Sequence, residues 1–171
     1  MAKQIVKSSG LKIKTLKKGK GESPLQGDVV LVHYEIWMNG GTTTSNYDYE
    51  KKKYVDELHD STYDENNPFS GPIEIIIGQE TPKDETYLRG QSIKGLDEAL
   101  LSMNVGAKVE LFIPPHLGYG NEGASSFHTF HGYRTPPLQE IKCNVELVEI
   151  KKSLQDKEPV KEDNSPAYEA L

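Results

Sequence analysis

An α+β fold, a curved antiparallel sheet wrapped as a half-barrel around one short α-helix, is what this sequence predicts, on three observations. Val29-Val30-Leu31-Val32-His33-Tyr34 is a β-branched run. Ile141 to Ile150 alternates so regularly that Ile141, Cys143, Val145 and Leu147 share one face of a strand. Leu96, Leu100 and Met103 recur at helical spacing, with Asp97 and Glu98 placed for a first turn.

The elements follow in order. Leu11 to Leu16 alternates apolar and basic residues as an edge strand does, and Gly19-Lys20-Gly21, Pro24 and Gly27 turn the chain into the Val29 strand. Ile73 to Ile77 is a short apolar run closed by Gly78, which predicts a third strand on the core. The helix is expected to begin near Gly95 and to end on Gly106 as a left-handed C-cap. Val109, Leu111 and Ile113 then alternate as a half-buried strand, Pro114-Pro115 forbids further ladder pairing, and Gly118 and Gly120 bracket Tyr119. That arrangement places a phenol at a strand end.

Three connections are long: Trp37 to Asp60, Gln79 to Gln91 and Asn121 to Pro136. Structureless loops of such length are usually functional or mobile. The third carries Phe127, Phe130 and Tyr133, too many aromatic rings for a connection that touches nothing. After Ile150 the chain becomes charged and poor in core residues, the signature of a linker or tail. Its last residues, with Ser165 as N-cap and Pro166 at the first helical position, suggest the start of a further helix.

Composition narrows the function. A chain of 171 residues can bury a core without staples, and its single cysteine, Cys143, suits a reducing compartment. The net charge of -6 argues against a general nucleic-acid binder. Lys3, Lys7, Lys12, Lys14, Lys17, Lys18 and Lys20 all precede the first acid, Glu22, either as solvated strand and loop lysines or as an electrostatic docking patch. With no apolar leader and no long apolar run, membrane insertion is not expected, and a cytoplasmic location, with the nucleus also compatible, is. His116, His128 and His131 lack a carboxylate or thiol at ligand spacing, so no metal site is predicted; Cys143, on an inward face with no paired histidine, is not a predicted nucleophile.

In chain order, the Val32-His33-Tyr34 strand, the Met103-Asn104-Val105-Gly106 helix end, the Ile113-Pro114 to Tyr119-Gly120 loop and the Val145-Glu146-Leu147 strand resemble an FKBP-type peptidyl-prolyl isomerase domain over roughly Gly10 to Lys151. The resemblance implies an FKBP-like domain over residues 10–152, an N-terminal extension over 1–9 and a charged linker or tail over 153–171. Larger members of the family often continue into tetratricopeptide helices. It implies isomerisation of proline-containing peptides and protein clients by a monomer without cofactor or metal, and weak binding of macrocyclic immunophilin ligands. By the same resemblance Tyr34, Asp60, Ile93 and Tyr119 are the catalytic set. Substrate contacts fall to His59, Phe69 or Ile73, Ser92, Leu96, Phe130, Tyr133 and Cys143. The departures cluster in the pocket: His59 replaces a phenylalanine, Leu96 the tryptophan of the floor, and Cys143 an aromatic of the final strand. The expectation is therefore a weak isomerase, with a non-catalytic binding module, a co-chaperone or scaffold, as the alternative.

Overall fold

The computed structural model describes residues 2–38, 47–48, 53–54, 57–66, 70–78, 92–125 and 135–151. Nine strands and one α-helix are placed there: β1 (Gln4–Val6), β2 (Lys12–Lys17), β3 (Val29–Met38), β4 (Tyr47–Asp48), β5 (Lys53–Tyr54), β6 (Glu57–Ser61), β7 (Ile73–Ile76), α1 (Lys94–Leu101), β8 (Lys108–Ile113) and β9 (Ile141–Lys151). Seven strands form one sheet in the order β1-β2-β8-β9-β3-β6, with β7 also paired to β3, and β4 and β5 make a separate two-stranded ribbon. Every described pairing is antiparallel. No helix of the described residues is long and apolar enough to cross a membrane.

Alternation sets the core. Ile141, Cys143, Val145 and Leu147 are at most 1% exposed, as the period-two pattern requires. A register shift between Leu31 and Val32 then pairs Val32 with Leu147 but Leu31 with Glu149, so the pattern ends where the strand bends. Val30, Val32, Tyr34 and Ile36 from β3, Val109, Leu111 and Ile113 from β8, and Leu96, Ala99, Leu100 and Met103 from the helical segment belong to the same buried cluster. Each fully buried Leu or Ile contributes roughly 1.5–3 kcal/mol, so the helix is held chiefly by this face and not by its own propensity.

Three expectations are corrected. The β2 strand is not an edge, because β1 pairs along its outer side with Ile5 opposite Ile13; three residues are too few to show a period. The helix ends earlier than Gly106. Ser102 closes it with its N–H donating to Ala99 O at 3.0 Å and its Oγ to the same carbonyl at 2.8 Å. Gly106 does take φ +88, but in the turn that delivers the chain to β8, where its N–H donates to Leu147 O. The connection from Trp37 to Asp60 is not structureless: β3 continues through Met38 and pairs with β6, and β4 and β5 pair between them. The segments 79–91, 126–134 and 152–171, which contain the second long connection, most of the third and the tail, lie outside the described residues.

On the convex face, Tyr63 donates its phenol to Glu146 Oε2 at 2.7 Å and Lys17 approaches Glu146 at 3.6 Å. The Tyr63 bond above all, with the two lysines Lys17 and Lys108, holds the Glu146 carboxyl below its ordinary value of 4.5. A carboxyl depressed in the folded state adds stability that is present above the unfolded value and is lost as pH falls below it. Tyr63→Phe should therefore lower the melting temperature near neutral pH and shrink the loss between about pH 5 and pH 3, read from thermal melts across that range. Parallel acid limbs for the two proteins would refute the role of this bond.

The helix meets the sheet at Gly95. A Cβ there would lie 2.6 Å from Ile113 Cγ2 and 3.2 Å from Leu117 O. Helix propensity alone makes Gly95→Ala a gain of about 1 kcal/mol, whereas overpacking costs about 1–3 kcal/mol. The contact should win, giving a net loss of stability in urea unfolding; a stabilised variant would mean that the helix can withdraw freely.

Candidate functional site

The inward residues of β3 are aliphatic except Tyr34, which is 5% exposed. Its neighbour in register on β9 is Val145, and Cys143 lies opposite Ile36 on one side and Leu111 on the other. Tyr34 and Cys143 thus stand on the concave surface that the helix covers.

Ile93 is the last extended residue before α1, with φ -120 and ψ 155, and its side chain offers no cap to the first turn. Ser92 and Ile93 are both buried, and the Ser92 hydroxyl turns back to Ile93 O at 3.4 Å. Leu96 follows on the inner face, 1% exposed. Gly95, between Ile93 and Leu96, lets the helix start against Ile113 at the end of β8 and against the Leu117 carbonyl in the segment that leaves β8 for Tyr119.

That segment is a clamp. Pro114 is extended, Pro115–Leu117 forms one 3-10 turn, and the Leu117 and Gly118 N–H groups close on Pro114 O and Pro115 O at 3.0 Å each. Gly120 has φ +65, a conformation that suits glycine, and its N–H donates to Pro115 O at 2.8 Å. Its own carbonyl accepts the Leu138 N–H at 3.0 Å. Tyr119 is consequently fixed on both sides, partly buried against the core. Below it, the base of the third long connection is pinned by the reciprocal pair Ala124 N–H to Thr135 O and Thr135 N–H to Ala124 O, each 2.9 Å.

Of the residues expected at the site, Tyr34, Ile93, Leu96 and Cys143 belong to one buried cluster, and Ile73 and Tyr119 pack on its margin. Burial pushes the Cys143 thiol well above its ordinary value, with the Glu35 charge adding to the rise, so it stays neutral. For His59 and Asp60 the backbone belongs to β6, with Asp60 in register with Ile36, and their side chains lie outside the description. Phe69, Phe130 and Tyr133 lie outside the described residues altogether.

Two residues of the site region escaped the sequence reading. Thr62, 5% exposed, bonds both main-chain groups of Tyr34. Leu138 has φ +58 while its side chain is 65% exposed. A lone threonine has no periodicity to betray it, and leucine is a poor left-handed residue; the preceding Pro136-Pro137 was the available turn signal.

A family profile described as FKBP-type peptidyl-prolyl cis-trans isomerase matches residues 20–148. The chain is 33% identical over 142 residues to FK506-binding protein 1 of Aspergillus oryzae, covering 82% of this chain and 98% of that protein. It is 36% identical over 143 residues to FK506-binding protein 1A of Neurospora crassa, covering 83% and 89%. Among solved structures, FkpA from Escherichia coli superposes with a TM-score of 0.59 at 24% identity over 86% of this chain. The chain spans about half of that structure, 51%.

The left-handed Leu138 yields a test of backbone strain. A branched side chain in that region costs on the order of 1 kcal/mol, and asparagine tolerates it. Leu138→Asn keeps the amide bond to Gly120 and should raise the melting temperature by a few degrees in calorimetry; an unchanged or lower value would show the conformation to be unstrained.

Proposed function

Because the chain belongs to the FKBP-type peptidyl-prolyl cis-trans isomerase family, we propose that it turns over X–Pro bonds of peptides and protein clients in the cleft of Tyr34, Asp60, Ile93 and Tyr119, slowly. The observation that carries this reading is the burial of Leu96 and Cys143, at 1% and 0% exposure, in the two places where the family resemblance puts large aromatic rings.

The reaction needs no nucleophile and no metal. Twisting the amide sacrifices its resonance, with a barrier near 20 kcal/mol. A dry apolar surface favours the twisted amide, whose charge separation has gone, and a few hydrogen bonds hold the flanking carbonyls. In this chain Tyr119 and the main chain at Ile93 serve as the donors, Tyr34 and Ile73 as walls and Leu96 as floor. Leucine and cysteine present less surface to a proline ring than tryptophan and phenylalanine do. Turnover and the grip on macrocyclic ligands both suffer as a result. A fully buried ring contributes about 2–3 kcal/mol, so such ligands bind roughly 30- to 150-fold more weakly than they do to a pocket with its full aromatic set.

The second reading is a binding module that holds proline-containing partners without turning them over, and the same two substitutions favour it. On either reading residues 10–152 are the folding unit, with residues 153–171 as a charged linker, in a monomer of the cytoplasm or nucleus.

Leu96→Trp combined with Cys143→Phe restores the surface and separates the two readings. In a folded double variant kcat/KM on a proline tetrapeptide should rise by about tenfold, the equivalent of some 1.4 kcal/mol of transition-state stabilisation. Overpacking is expected to cost about 1–3 kcal/mol, so the melt is measured alongside. A folded variant no faster than its parent would place the defect elsewhere and favour the binding module.

A further inference from the structure

Along β3 the strand partner on one edge changes. Val29 to Val32 pair with β7, and Glu35 to Met38 pair with β6. His33 and Tyr34 fall between the two ladders, so the main-chain groups that Tyr34 presents to this edge have no strand opposite them.

Thr62, the first residue after β6, fills that position. Its N–H donates to Tyr34 O at 3.0 Å, and its Oγ1 accepts the Tyr34 N–H at 2.9 Å. Its own carbonyl accepts the Gly71 N–H at 2.9 Å, which ties the start of the β7 segment to the same point. One residue thus supplies Tyr34 with both a donor and an acceptor.

The hydroxyl itself is oriented from the convex face. Thr62 Oγ1 lies 2.8 Å from His33 Nδ1 and 3.3 Å from Tyr34 O. A hydroxyl has one proton, and the shorter contact takes it when the imidazole carries its proton on Nε2. A lone pair then faces the Tyr34 amide. His33 is held in turn: its ring stacks on Tyr63 with centroids 4.3 Å apart and planes at 18°, and Lys108 sits 4.8 Å over the other ring, which donates to Glu146.

We propose that Thr62 is a positioning residue for the cleft, setting the main chain of Tyr34 and the strand end that carries Asp60, and that His33, braced by Tyr63, orients it. The proposal rests on the reading of Tyr34 as a cleft residue. Asp60 stands in register with Ile36 and two residues before Thr62, so one anchor sets both. The polar rim is thereby tied to the outer face of the sheet independently of the apolar floor.

Affinity for a Leu-Pro tetrapeptide, followed by two-dimensional NMR titration of the folded chain, tests this without requiring turnover. Thr62→Val keeps the shape and orphans the Tyr34 amide; it should raise Kd by about 3- to 10-fold, with Thr62→Ser within about twofold of the parent. In a Tyr34→Leu background the same Thr62→Val change should raise Kd by no more than about twofold, the share that passes through the Asp60 strand end, a coupling that a merely structural role would not produce. If Thr62→Val does not fold, His33→Phe keeps the stack, removes the acceptor and should raise Kd about two- to threefold. A weaker Tyr34→Leu with an unaltered Thr62→Val, or with an unaltered His33→Phe where that variant stands in, would overturn the proposal and leave the cleft reading intact. An equal loss from Thr62→Val in both backgrounds would also overturn it. An unaltered Tyr34→Leu, or a parent with no saturable shifts, would overturn the cleft reading and the proposal together.

Discussion

The first turn of α1 lies so close to the end of β8 that position 95 has no room for a Cβ, and the site is built on that approach. It sets Gly95, between Ile93 and Leu96 in the chain, against Ile113 and the Leu117 carbonyl of the Pro114–Gly120 clamp. On the proposed reading the floor of the cleft is therefore also part of the hydrophobic core. On that reading a change at Leu96 or Cys143 acts on the cleft through packing, because both side chains belong to the buried cluster. A smaller residue in such a place does not simply leave an open pocket; the core closes over it, and less ring surface meets the substrate.

The main chains of the two tyrosines of the proposed cleft obey a different constraint. Tyr119 is set by main-chain bonds around Gly120, and Tyr34 by the main-chain and hydroxyl bonds of Thr62. Neither set of bonds involves Leu96 or Cys143. On the proposed reading rim and floor can diverge separately: the family resemblance puts larger rings where Leu96 and Cys143 stand and tyrosines where Tyr34 and Tyr119 stand. That separation is why weak isomerisation and binding without turnover are neighbouring readings: a proline-containing peptide can be held by the rim while the twisted amide receives little help from the floor.

Strand periodicity made most of the fold legible. The inward sets of β3, β8 and β9 and the helical face of Leu96 and Leu100 could be read from the chain because each recurs on a fixed period over several residues. What could not be read has a physical reason in each case. The β1 strand is too short for a pattern, the Ser102 cap depends on a side-chain bond that no spacing encodes, and the β6 partner of β3, Glu57–Ser61, was hidden among polar residues typical of loops. At the site, Tyr34 and Tyr119 were visible as aromatic residues at marked strand positions. Thr62 and Leu138 were not, since their roles arise from the local backbone: a gap between two ladders for one, a left-handed turn for the other.

Exchange NMR of a proline tetrapeptide with a small amount of the chain tests the central claim most directly, because it reads binding and turnover in one sample. Uncatalysed exchange takes tens to hundreds of seconds, so even modest catalysis is visible. The expected result is a cis–trans exchange rate that rises in proportion to the amount of protein, with peptide-induced shifts at the Ile93 and Tyr119 amides. Shifts at those amides with no acceleration of exchange would contradict the isomerase reading and leave a binding module.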